Sequence, residues 1–160
     1  MVVWCPWSYD QTSNPDRENM SIKIGINGFG RMGRLAFRVA WGFDDIEIIH
    51  INDPAGDAAT LAHLLLFDSV HGRWQHKVSA QNASILVDDK SITTSRNEAI
   101  QDTDWSRCDV VIEASGKMKT KALLKAYLDQ GVKRVVVTAP VKEEGVLNIV
   151  MGINDQLYDR

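Results

Sequence analysis

Cysteine is scarce in this chain: Cys5 and Cys108 are the only two among 160 residues. Two thiols so far apart in sequence give no metal-like spacing and no disulfide framework. That excludes a small disulfide-stapled domain, fits a reducing compartment and predicts a cytoplasmic location. Long apolar runs are missing too; none approaches the roughly 18 residues that suggest a membrane span. Positive charge is not in excess. Eighteen Lys and Arg against 21 Asp and Glu leave a net charge of −3, whereas a nucleic-acid surface favours a basic face. The expected partner is therefore a small molecule, with neither nucleic acid nor membrane. Internal repeats and low-complexity tracts are absent, and the ordinary balance of 44% apolar and 24% charged residues fits one compact domain.

Proline is also rare, yet two of the four prolines and two of the five tryptophans fall in the first 20 residues. MVVWCPWSYDQTSNPDRENM has no periodicity and lacks the basic start and apolar centre of a secretory signal. Residues 1–20 are expected to be a non-native or disordered leader, residues 21–160 the domain proper. The functional alternative for the leader is an interaction tail built on Trp4 and Trp7.

From residue 22 onward the pattern alternates strand and helix. Ile22, Ile24 and Ile26 alternate as a short strand does, and RMGRLAFRVAW (31–41) follows at helical spacing with Met32, Leu35 and Val39 on one face. IEIIHI (46–51) reads as a second strand, and Asp57 is placed to cap a helix over 58–67. Residues 73–95 read as short antiparallel strands around Asp88–Asp89. CDVVIEA (108–114), KRVVVTA (133–139) and LNIVMGI (147–153) read as further strands, and KTKALLKAYLDQ (119–130) as an amphipathic helix ending at Gly131. Several strands are continuously apolar. That favours an α/β, Rossmann-type doubly wound, mostly parallel sheet with a small antiparallel excursion.

The first strand runs into Gly28-Phe29-Gly30-Arg31-Met32-Gly33, a G-x-G-x-x-G pattern between strand and helix. The first glycine permits a tight turn, the second a close backbone approach to a diphosphate, and the third close packing of helix on strand. The helix start offers free N–H groups and a positive dipole end. Asp53 ends the second strand twenty residues after Gly33, the spacing of a carboxylate that hydrogen-bonds ribose hydroxyls. A carboxylate there repels a 2′-phosphate, so the predicted cofactor is NAD rather than NADP. The bland alternative is a plain glycine turn, with Asp53 merely opening a loop before Pro54.

IGINGFGRMGR, INDP, FDSVHGRW, EASG, KRVVVTAP and VMGIN occur in that order. Their wording resembles the N-terminal, NAD-binding part of the phosphorylating glyceraldehyde-3-phosphate dehydrogenases over residues 22–159. The resemblance implies a cofactor site made of Asn27, Gly28, Gly30, Arg31, Met32, Gly33 and Asp53, with Arg96 near the adenine. It adds Ser115 and Gly116 at a strand end bordering the cofactor, and Thr138 towards the nicotinamide side. It implies an oxidoreductase that converts glyceraldehyde 3-phosphate to an acyl phosphate, and a homotetramer for the full-length protein. SGKMKT (115–120) and NDPAGDAATLAHLL (52–65) look like a bacterial branch found with arsenate-resistance genes, in which arsenate replaces phosphate as acyl acceptor.

The family's nucleophilic cysteine lies in an S-C-T-T-N motif beyond a segment like VMGIN, and the chain reaches Arg160 without it. No catalytic residue and no metal site is therefore predicted here, and the chain by itself is expected to be inactive. Cys108 reads as a buried strand-edge residue, His71 as a loop-ordering one, His63 as packing or a partly exposed helix face, and Trp41, Trp74 and Trp105 as core or rim aromatics. Two other classes stay open: a stand-alone or decayed NAD-binding module, and a semialdehyde or homoserine dehydrogenase with a similar first domain. INGFGR and D-S-x-H-G argue against the latter.

Overall fold

The computed structural model describes the backbone of residues 2–4 and all of residues 21–158. In chain order the elements are β1 (Val2–Trp4), β2 (Ile22–Asn27), α1 (Arg31–Ala40), β3 (Ile46–Asn52), α2 (Ala58–Leu66), β4 (Phe67–Asp68), β5 (Gly72–Arg73), β6 (Val78–Gln81), β7 (Ser84–Val87), β8 (Lys90–Ser95), β9 (Val110–Glu113), α3 (Lys121–Leu128), β10 (Arg134–Val137) and β11 (Leu147–Asn148). Among the described residues nine strands form one sheet in the order β11-β1-β10-β9-β2-β3-β8-β7-β6, and β4 pairs with β5 separately. The five central strands β10-β9-β2-β3-β8 run parallel. Antiparallel pairing adds β7 and β6 at one edge and sets β1 between β10 and β11 at the other. Of the expected leader, residues 1 and 5–20 and the side chains of residues 2–4 lie outside the described residues, and with them the interaction tail read on Trp4 and Trp7.

Side chains alternate between two faces because strand periodicity is two. Ile24, Ile26, Ile48 and Ile51 face one core with Phe37 of α1 and Leu61 and Leu65 of α2. Val111, Val135 and Val137 face the other with Leu124 and Tyr127 of α3 and with Trp105. Helices thus cover both faces, the doubly wound arrangement expected from the sequence. Asp57 caps α2 through its side chain, accepting from Thr60 N, and Thr120 caps α3 in the same way at Leu123 N.

Two local expectations are corrected, and one strand carries an irregularity. The buried stripe of α1 is Gly33 and Phe37, whereas Met32 and Val39 are 51% and 68% exposed. The helix has to turn Gly33 inward, because a Cβ there would lie 2.1 Å from the Gly28 carbonyl oxygen. In β3 the register against β2 shifts between Ile24 and Gly25, leaving Ile49 as the extra residue of a bulge. The strand expected over 147–153 stops at Asn148. Beyond it, side chains satisfy the backbone in place of a ladder: Val150 N donates to Asn154 Oδ1 (2.6 Å) and Gly152 N to Asp155 Oδ1 (2.9 Å).

Candidate dinucleotide site

Strand β2 sits mid-sheet, with β3 on one side and β9 on the other. The chain leaves β2 first towards β3 and returns on the opposite side, so a crevice opens outside the carboxyl ends of β2 and β9. Open α/β sheets bind ligands at such a switch point. Asn27 pairs with Asn52 across one ladder and with Glu113 across the other, which aligns the three strand ends that floor the crevice.

The glycine turn spans this floor. Gly28 has φ +88° and donates its N–H to Asn52 O at 2.8 Å. A Cβ on Gly28 would fall 2.4 Å from Ser115 N, so the turn lies directly against the end of the neighbouring strand. Gly28 and Gly33 are thus fixed by the protein's own backbone. Gly30 is different: a Cβ there would meet nothing within 4 Å. Gly30 is also the N-cap of α1, without a side-chain cap, and the first turn carries no acidic residue. Uncapped N–H groups at a helix start favour an anion, and the space over Gly30 lets one approach the main chain.

Asp53 lies half-buried beside the turn. Its Oδ2 accepts from Phe29 N at 2.6 Å and its Oδ1 from Ala55 N at 2.8 Å, so the backbone on both sides holds the carboxylate. Asp53 N in turn donates to Ser95 O at 3.1 Å. Arg96 follows Ser95 and is exposed. Its positive charge helps to lower the Asp57 carboxyl, after the larger effect of the Thr60 hydrogen bonds. Ser115 directs both its N–H and its hydroxyl to Glu113 Oε1 (2.8 and 2.5 Å), and Gly116 follows with φ +71°. Arg31 and Met32 are exposed on the first turn of α1. Thr138 stands further along the sheet, at the end of β10, with its N–H on Glu113 O at 2.9 Å. Asn27 is buried, and its side chain turns into the floor instead of into the crevice.

The sequence reading missed the residues beneath. Asn52, Glu113 and Tyr127 are buried and hydrogen-bonded to Asn27 (Asn52 Nδ2 to Asn27 Oδ1 2.8 Å; Asn27 Nδ2 to Glu113 Oε2 2.7 Å and to Tyr127 OH 2.6 Å). Burial and the adjacent Glu113 push the Tyr127 hydroxyl far above its ordinary range, which keeps it a donor. The signal for this layer was a polar residue closing each apolar strand: Asn27, Asn52 and Glu113.

The other candidates take structural roles. Burial, with Asp109 adding to it, pushes the Cys108 thiol up to about 11, which suppresses the nucleophilic thiolate. Both ring nitrogens of His50 are engaged, by Thr93 Oγ1 (2.7 Å) and Ser95 Oγ (2.9 Å). His71 ties its Nδ1 to Asp68 Oδ1 at 3.1 Å and orders the DSVHG turn. A cavity of about 230 Å³ beside His50 and Cys108, and one of about 160 Å³ between Trp41 and Lys90, are not lined by the glycine turn. Among the described residues no His, Cys, Asp or Glu cluster is arranged to hold a metal, and no helix is long and apolar enough to cross a membrane.

Comparison with known proteins agrees with this geometry. Residues 22–121 match the family described as glyceraldehyde 3-phosphate dehydrogenase, NAD binding domain. The chain is 50% identical over 142 residues to glyceraldehyde-3-phosphate dehydrogenase 3 of Nostoc sp., covering 88% of this chain and 42% of that protein. It is 41% identical over 142 residues to the enzyme of Geobacillus stearothermophilus, with the same coverage. It is 37% identical over 140 residues to glyceraldehyde-3-phosphate dehydrogenase 1 of Agaricus bisporus, covering 86% of this chain and 41% of that protein. The chain thus spans well under half the length of these relatives. A glycine turn at a switch point, an anchored acid twenty residues on and a match over most of the chain agree: this protein belongs to the glyceraldehyde 3-phosphate dehydrogenase NAD-binding-domain family.

Proposed function

We propose that the crevice binds NAD as the cofactor half of a dehydrogenase acting on glyceraldehyde 3-phosphate. The observation that carries this reading is the contrast within the turn: protein backbone packs where Cβ atoms of residues 28 and 33 would be, and nothing packs over Gly30. The uncapped N–H groups at the start of α1, beside Gly30, Arg31 and Met32, hold the diphosphate. Asp53, with its carboxylate already aimed by two backbone donors, accepts from the adenosine ribose, and Arg96 borders the adenine. Ser115, Gly116 and Thr138 flank the path towards the nicotinamide. NAD, when bound, supplies the hydride acceptor; this chain's own residues bind and orient it. The carboxylate disfavours the 2′-phosphate of NADP. In the complete protein the reaction yields an acyl phosphate, or an acyl arsenate in the arsenate-associated branch, in a cytoplasmic homotetramer.

Calorimetric titration with NAD and NADP tests this reading. NAD binding with NADP markedly weaker is the expected result. Asp53→Ala should weaken NAD by about 1–3 kcal/mol, the worth of a charge-assisted hydrogen bond. An unchanged dissociation constant would refute the role of Asp53, and no heat with either nucleotide would refute the site.

A further inference from the structure

A single line of hydrogen bonds runs across the sheet beneath the crevice, and each bond in it has one possible direction. At one end the backbone of Asn97 brackets the Asn52 amide: Asn97 N donates to Oδ1 (2.9 Å) and Asn97 O accepts from Nδ2 (2.8 Å). A main chain cannot exchange its donor for its acceptor, so Asn52 must point Nδ2 towards Asn27 Oδ1. At the other end Ser115 N fixes Glu113 as an acceptor, and the Tyr127 hydroxyl donates to Glu113 Oε2 at 2.5 Å. Asn27 lies between them with its own orientation dictated from both sides, Oδ1 to Asn52 and Nδ2 to Glu113. Each member adjoins a residue of the crevice. Asn27 precedes Gly28, Asn52 precedes Asp53, Asn97 follows Arg96, and Glu113 grips Ser115 directly.

We propose that Glu113 is a positioning residue that, acting through Asn27 and Asn52, sets the glycine turn against Asp53 and so governs affinity for the adenosine diphosphate portion of the cofactor. This rests on the NAD reading above. A fully satisfied buried network rigidifies a unique arrangement, and a half-satisfied one is worse than none. Apolar residues of similar size would fill the same floor, but they would leave the three strand ends free to slide by fractions of an ångström.

The test is a polarity swap in the 160-residue chain. Glu113→Gln puts an amide where four donors converge, so at least one of them faces another donor. Asn27→Asp sets two carboxylates 2.7 Å apart in the floor. The double variant Asn27→Asp/Glu113→Gln reverses the bond between the two positions. The new amide nitrogen at position 113 donates to the new carboxylate at position 27. The amide oxygen still receives Ser115, and the carboxylate still receives Asn52. The Tyr127 hydroxyl, already in contact with both positions, turns its proton to the carboxylate. Titrated with NAD, each single variant should bind at least about tenfold more weakly than wild type, and the double variant should return to within about threefold, a coupling that a contactless pair does not show. Recovery of NAD affinity by the double variant supports the proposal even if a single variant fails to fold. A double variant that folds, by thermal melting, yet binds as weakly as Glu113→Gln overturns it, as does Glu113→Gln binding like wild type. Failure of wild type itself to bind NAD would be a different result, removing the functional reading and this proposal with it.

Discussion

The two ends of the same central strands are built on opposite plans. At the amino ends of β2 and β9, polar groups meet at the surface. Asp109 accepts from Lys23 N at 2.9 Å and pairs with Lys133 Nζ at 2.6 Å, where the lysine side chain is 68% exposed. At the carboxyl ends, Asn27, Asn52 and Glu113 are all buried and fully engaged with one another. Exposed ion pairs contribute little and tolerate several geometries. Buried amides and acids are costly unless every partner is in place, so they specify one geometry. The sheet keeps its tolerance at one end and its specificity at the other, and the cofactor crevice lies at the specific end.

Four substitutions break or sharpen that contrast. Gly33→Ala should have the largest effect: a Cβ 2.1 Å from the Gly28 carbonyl forces α1 off β2 and should cost more than about 3 kcal/mol, read as loss of a cooperative melt. Gly25→Ala lies in the middle of β2, between the two ends. Its Cβ would sit 2.8 Å from both Cys108 Sγ and the ring of Trp105, which is buried and pinned by its Nε1 to Ile100 O. The expected loss is about 1–3 kcal/mol of stability by denaturant titration, with NAD affinity unchanged in the folded fraction. Gly30→Ala should do the reverse. The melt should be unaltered, because nothing lies within 4 Å, while NAD binding falls at least about tenfold, or about 1.4 kcal/mol. Lys133→Ala should be the mildest, about 0.2–1 kcal/mol. Burial raises the Asp109 carboxyl, but hydrogen bonding to Lys133 and Lys23 outweighs it and the net shift is downward. A depressed carboxylate stabilises above the ordinary carboxylate range and loses that contribution as pH falls below this range through the group's own lowered value. The difference between Lys133→Ala and wild type should therefore vanish on acidification below about pH 4.

Much of this was legible in the sequence, because local chemistry and fold coincide there. The glycine turn, Asp53, the cap Asp57 and the apolar strands announce themselves by residue type and spacing. What stayed hidden depends on contacts. Helical spacing put Met32, Leu35 and Val39 on one face, although the face that packs is that of Phe37 and of Gly33, the glycine already assigned to helix packing. The polar floor was invisible because Asn27 and Glu113 are 86 residues apart in sequence and meet only after the crossover. The strand expected after Asn148 failed because Asn154 and Asp155, beyond the apolar run, capture its backbone donors. In β3 the doubled isoleucine at 48–49 reads as one more apolar pair, although it is the trace of the bulge.

That bulge decides which side chain ends the strand in which direction. Were Ile49 instead to take the place opposite Gly25, as in a regular ladder, His50 would fall into phase with Ile48 and every later position of β3 would swap faces. Asn52 would rotate out of the floor, and Asp53 would be carried a step further beyond the end of β2. One surplus residue in mid-strand thus works as a phase shifter, and the placement of the acid is inherited from it.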